Sequence, residues 1–160
     1  KYQMKNFIKI FFSLFYFDFL KIASGTFGSI LSIIFLYPFF KNNFLSLQIL
    51  IFIFLIILII SIYFIEEFSK ITQTQDSSVI VVDEFIGVYL IFFFYDYILI
   101  NNDYFTLILI FIFFRIFDIF KLFPANYIDN NYKNSFGVIM DDIIAAFYTI
   151  ITMILLNLFI

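Results

Sequence analysis

Four short stretches of this sequence place chemically capable residues where apolar ones would be expected. Val81-Val82-Asp83-Glu84-Phe85-Ile86-Gly87 sets two adjacent carboxylates in an apolar run. Phe114-Arg115-Ile116-Phe117-Asp118-Ile119-Phe120-Lys121 spaces an arginine, an aspartate and a lysine three residues apart, which keeps them near one helical face. Gly137-Val138-Ile139-Met140-Asp141-Asp142 ends in a second acidic pair, and Gly25-Thr26-Phe27-Gly28-Ser29 combines small residues with hydroxyls. Each has an ordinary structural explanation. Acids at a helix start are favoured by the macrodipole. An Arg-Asp-Lys ladder can be a plain ion-pair series, and Thr26 or Ser29 can be a simple helix cap. Taken together they say more. Ionisable groups in apolar spans are costly and normally face a partner or a cavity.

The residues that are missing narrow the chemistry. The sequence has no Cys and no His, so disulfides, thiolate or imidazole catalysis and Cys/His zinc sites are excluded. Asp, Glu, Ser, Thr, Tyr, Lys and the lone Arg115 must carry any reaction. Hard carboxylate oxygens suit Mg²⁺. The planar fork of Arg115 matches phosphate oxygens. Backbone N–H groups at a helix start, as near Gly25, Thr26, Gly28 and Ser29, also suit a phosphate. Adjacent positions on a helix point about 100° apart. Only one of Asp141 and Asp142 is therefore expected to face a shared centre. No basic patch points to nucleic acid.

These groups must be held by helices in a bilayer. Of 160 residues, 64% are hydrophobic, and nine basic and twelve acidic side chains are too few to cover a soluble domain. The expected fold is all-α: one integral membrane bundle over residues 1–160, with four to five spans and an interfacial N-terminal helix. Lys1, Lys5 and Lys9 recur every four residues within Lys1–Leu20, as an interfacial helix requires. The expected spans are Thr26–Phe40, Phe44–Ile65, Val79–Ile100, Tyr104–Phe123 and Gly137–Ile160. Loops are expected at Glu66–Ser78 and Pro124–Phe136. Alternating the direction of these spans brings all four motifs to one side. Lys1, Lys5, Lys9, Lys21, Lys70, Lys121 and Lys133 fall on that side and only Lys41 opposite, so the positive-inside rule makes it cytoplasmic.

In this order and at these positions the four motifs resemble the phosphatidylglycerophosphatase A family, a bacterial lipid phosphatase family. The likeness runs from Gly25 to Ala146, and Asp76 also fits. The chain departs from the family pattern in three places. Ser24 stands where a proline usually precedes the first glycine. Lys121-Leu122-Phe123-Pro124 replaces Lys-Pro-x-Pro, and Asn134 and Ser135 replace glycines ahead of Gly137. The resemblance implies Mg²⁺-dependent hydrolysis of phosphatidylglycerophosphate to phosphatidylglycerol and phosphate, at the cytoplasmic face of the bacterial inner membrane.

On this reading Asp83, Glu84, Asp118 and one or both of Asp141 and Asp142 form the metal site. Glu84 takes a proton from water, Arg115 and Lys121 offset phosphoryl charge, and Gly25, Thr26, Gly28 and Ser29 hold the phosphate. A channel or transporter would instead need polar residues at mid-membrane, where stretches such as Leu47–Ser61 are almost wholly apolar. A non-catalytic subunit would use the same charges only to join helices. A CDP-alcohol phosphatidyltransferase would need an Asp-Gly…Ala-Arg series that is absent here.

Overall fold

A computed structural model describes residues 24–72, 81–132 and 134–159. Within them lie seven helices and no strand: α1 (Ser24–Lys41), α2 (Leu47–Thr72), α3 (Val82–Phe92), α4 (Tyr95–Ile98), α5 (Asp103–Phe120), α6 (Ala125–Asn131) and α7 (Ser135–Phe159). The expected interfacial helix at Lys1–Leu20 lies outside the described residues. So do Asp76 and five lysines of the charge count: Lys1, Lys5, Lys9, Lys21 and Lys133.

The fold is all-α, and two of its helices are long and apolar enough to cross a membrane: Leu47–Glu67 and Ser135–Phe159. The apolar part of α1, Gly25–Lys41, is shorter. Side chains such as Ile34, Phe52, Ile59, Tyr63, Ile108 and Leu158 point outwards. The inward faces form a core of Ile33, Leu36, Val88, Ile91, Phe92, Ile110, Phe114, Ala145, Ala146 and Met153. Central α3 packs against α1, α2 and α7, and α5 packs against α7.

Contacts fix the direction of each helix. Gly25, at the start of α1, faces Glu84 at the start of α3 and Arg115 late in α5. Lys41, at the other end of α1, pairs with Asp103 at the start of α5, 2.9 Å away. Thus α1, α3 and α7 begin at one end of the bundle, and α5 returns to it. Helix α2 also returns: Leu50 O near its start accepts from Tyr89 Oη, while Ile65 packs with Val82, Ile86 and Ile139.

Three segments differ from their expected form. The apolar run Val79–Ile100 is not one helix. It breaks after Phe92, where Phe93 N–H and Phe94 N–H bond to carbonyls three residues back. The break turns Tyr95 inwards to stack on Phe92, with its hydroxyl donating to Asp103 Oδ1 at 2.8 Å. Helix α2 continues past Ile65 into the expected loop, where Lys70 bridges Glu66 and Glu67 one turn earlier. The expected loop at Pro124–Phe136 contains α6. Local caps close the other turns. Asn102 Oδ1 accepts from Phe105 N–H at the start of α5, and Asn134 Oδ1 accepts from Gly137 N–H in the first turn of α7.

The Lys41–Asp103 clasp lies beyond the apolar stretches and is pH-sensitive. Hydrogen bonds from Lys41 and then Tyr95 hold the Asp103 carboxyl below its ordinary pKa, and the bond to Asp103 raises that of Lys41. A depressed carboxyl pKa stabilises the fold above its unfolded value of about 4, and that gain fades as pH falls through the folded pKa. Asp103→Asn should therefore lower the melting temperature in detergent at pH 6. It should cost little at the acid limit, where the wild-type carboxyl is protonated too. Thermal unfolding of both proteins across that range checks this; a pH-independent difference would contradict it.

Candidate active site

Small residues let the helices close at the motif-bearing end. Gly87 is buried in α3, and a Cβ there would lie 2.8 Å from the ring of Phe114 and 3.0 Å from the backbone oxygen of Asp142. The absent side chain allows α3, α5 and α7 to meet. Gly25 does the same for α1: a Cβ would stand 2.6 Å from Glu84 Oε1 and 2.8 Å from Arg115 Nη1. At Gly28 it would collide with Val81.

The carboxylates gather where α3 meets α7. Asp83, Glu84 and Asp142 each offer an oxygen, and the three lie within 4.8 Å of one another. Asp142 is 4% exposed and Glu84 9%. The field at Asp142 includes Asp83, Asp118 and Asp141, and that at Glu84 includes Asp142 and Asp118. Carboxylates this close in a poorly solvated place repel one another unless they are protonated or offset by positive charge. Glu84 Oε2 has no hydrogen-bond partner among the described residues. A convergent set of hard oxygens with an unsatisfied carboxylate atom fits Mg²⁺ or a similar divalent ion.

The cations flank this centre. Arg115 Nη1 lies 2.5 Å from Asp118 Oδ2, one turn along α5. The contact is ionic rather than an aligned hydrogen bond, and buried Arg115 Nε and Nη1 have no hydrogen-bond acceptor among the described residues. Unused guanidinium donors beside Gly25 can take an anionic oxygen. Lys121 Nζ is 2.7 Å from Asp141 Oδ2 and 2.9 Å from Asp129 Oδ1.

The structure therefore divides the sequence-derived residues into groups. Asp83, Glu84 and Asp142 form the close trio. Asp118 borders it while paired with Arg115. Asp141 turns to Lys121, so the two adjacent aspartates serve different neighbours. Gly25 and Gly28 pack on Glu84 and Val81. Gly25–Ser29 is not a loop or cap ahead of α1 but lies within its opening turns. Ser29 Oγ donates back to Gly25 O at 2.7 Å and is wholly buried, so its hydroxyl serves its own helix. Thr26, half-buried, lies in the first turn, where helix N–H groups lack intrahelical acceptors. Asp129 did not emerge from the sequence. Its only signal was an acid in a polar stretch, since its contact with Lys121 depends on how α6 folds back.

Fold and site define a class: an all-helical protein with many outward apolar side chains and a carboxylate cluster flanked by cations. Comparison with known proteins is specific. The family model for phosphatidylglycerophosphatase A matches residues 10–157. Phosphatidylglycerophosphatase A of Haemophilus influenzae is 30% identical over 133 residues, covering 81% of this chain and 76% of the relative. The Escherichia coli protein of the same name is 32% identical over 125 residues, covering 78% and 69%. No solved structure matches the chain. The chain belongs to the phosphatidylglycerophosphatase A family.

Proposed function

We propose that this protein hydrolyses phosphatidylglycerophosphate to phosphatidylglycerol and inorganic phosphate, with Mg²⁺, at the cytoplasmic face of a bacterial inner membrane. The observation that carries the reading is the convergence of Asp83, Glu84 and Asp142 within 4.8 Å, beside an Arg115 with unused donors. Two relatives bearing the enzyme's name support the substrate. The outward apolar side chains and the two long apolar helices support a multi-pass bundle in lipid. The lysine count on the site side supports the orientation.

Asp83, Glu84 and Asp142 hold the ion, with Asp118 at its border. When bound, Mg²⁺ supplies positive charge against the phosphate oxygens and makes water a better nucleophile. The remaining work belongs to the side chains. Arg115 receives a phosphate oxygen on guanidinium donors that Asp118 does not engage, and Lys121 offers a further N–H from the rim. The opening turn of α1, with Thr26, supplies backbone N–H groups to the same phosphate. Glu84 Oε2, which has no hydrogen-bond partner among the described residues, accepts the proton from the attacking water. The water oxygen bonds to phosphorus as the bond to the glycerol oxygen breaks, and the leaving glycerol oxygen takes up the proton that Glu84 received, which restores the carboxylate. Arg115 balances charge that spreads over the phosphoryl oxygens, while Lys121 holds the phosphate alike in the ground and transition states. The acyl chains stay in lipid against the Phe- and Ile-rich exterior, so only the headgroup enters the polar end.

Purified protein incubated with phosphatidylglycerophosphate and Mg²⁺ in detergent should release phosphate, and EDTA should stop it. Asp118→Asn should remove nearly all of this activity while the protein stays folded, because Arg115 loses the ionic partner that orients it. Wild-type turnover in that variant would refute the role of Asp118. A wild-type protein that releases no phosphate would refute the function.

A further inference from the structure

Asp129 belongs to none of the four motifs, yet its carboxylate shares the Lys121 ammonium with Asp141. Lys121 is also unusual in its backbone. It caps α5 in the left-handed conformation, φ 41° and ψ 63°, with its N–H bonded to Phe117 O. Glycine normally takes this position because a Cβ is strained there. The chain keeps a lysine and ties its side chain to two acids from two different helices. Strained backbone held in place by its surroundings is typical of functional positions.

An ammonium has three N–H donors and no acceptor. Asp141 Oδ2 at 2.7 Å and Asp129 Oδ1 at 2.9 Å can engage two of them. We propose that Asp129 is a positioning residue: it fixes the Lys121 ammonium against Asp141 so that the third N–H meets the substrate phosphate. This rests on the phosphatase reading above. Asp141 lies in the field of Asp118, which puts the ammonium at the rim of the carboxylate centre. Without Asp129 the long lysine side chain would pivot about a single contact. The opposing effect is electrostatic, since removing a negative charge favours an anionic substrate. The Asp129 side chain is 40% exposed, so solvent and salt screen its charge. The direction it imposes on the ammonium is not screened, and orientation wins.

The test is steady-state phosphate release from phosphatidylglycerophosphate in detergent micelles with saturating Mg²⁺. Asp129→Asn should raise KM by roughly tenfold, the scale of one charge-assisted hydrogen bond, and change kcat by less than about twofold. Asp129→Glu, which restores the carboxylate, should recover most of the loss. In a Lys121→Gln background Asp129→Asn should add nothing further, because its effect passes through that ammonium. An unchanged or lowered KM in Asp129→Asn, or full additivity with Lys121→Gln, would overturn the assignment while leaving the phosphatase intact. A wild-type enzyme without activity would overturn both, so the two failures are distinct.

Discussion

Asp142→Asn should lower phosphate release by about 10²–10³-fold or more, the scale seen when a group acting directly on reacting charge is removed. Asp142 is the one member of the close trio that comes from α7, and it is 4% exposed. Asparagine keeps the shape but not the charge, and its neutral amide oxygen is a weaker ligand for a divalent cation than a carboxylate. Stability should move the other way. In the metal-free protein Asp142 faces Asp83, Asp118 and Asp141, so neutralising it relieves repulsion. The variant should melt no lower than wild type without Mg²⁺. A ligand that binds only the folded state raises its melting temperature, so Mg²⁺ should stabilise wild type and do little for Asp142→Asn. Phosphate release and paired melting curves decide the matter. Normal turnover, or an equal Mg²⁺ response in both proteins, would remove Asp142 from the centre.

Gly87→Leu should be as damaging for a different reason. Even the first added carbon would lie 2.8 Å from the fully buried Phe114 ring and 3.0 Å from Asp142 O, a backbone atom that cannot swing aside. Overpacking a tight core costs about 1–3 kcal/mol, and a leucine side chain takes the upper part of that range. Relief requires α3 to move from α7, which separates Asp83 and Glu84 from Asp142. Activity and melting temperature should therefore fall together, unlike in Asp142→Asn. Gly87→Ala should be milder, because better helix propensity, worth up to about 1 kcal/mol, offsets part of the crowding. A stable, fully active Gly87→Leu protein would mean that the helices are not packed as closely as described.

Much of the site could be read from the sequence because its logic is helical. Buried acids in apolar runs stood out at Asp83, Glu84, Asp141 and Asp142, and a 100° step separated the last two onto different neighbours. Gly87, one turn after Asp83, marked a place for close helix approach. Asp129 could not be read this way. Its value comes from the return of α6 towards Lys121, a tertiary fact with no periodic trace. The break after Phe92 was hidden for a similar reason. Val79–Ile100 is apolar throughout its second half apart from Asp96, and no Gly or Pro marks the end of α3. The break goes with a contact outside the run, the Tyr95 hydroxyl donating to Asp103 Oδ1 eight residues on. The opening turns of α1 were legible as small and polar, but not as helix already begun. Only the structure shows Ser29 spending its hydroxyl on Gly25 O.

Because the acidic trio is shared between α3 and α7, translation order matters. The ribosome makes Asp83 and Glu84 well before Asp142, and chains generally acquire structure from the N-terminal side as they emerge. A nascent polypeptide stopped ahead of residue 142 carries two of the trio's three carboxylates. The trio is complete only once α7 packs against α3.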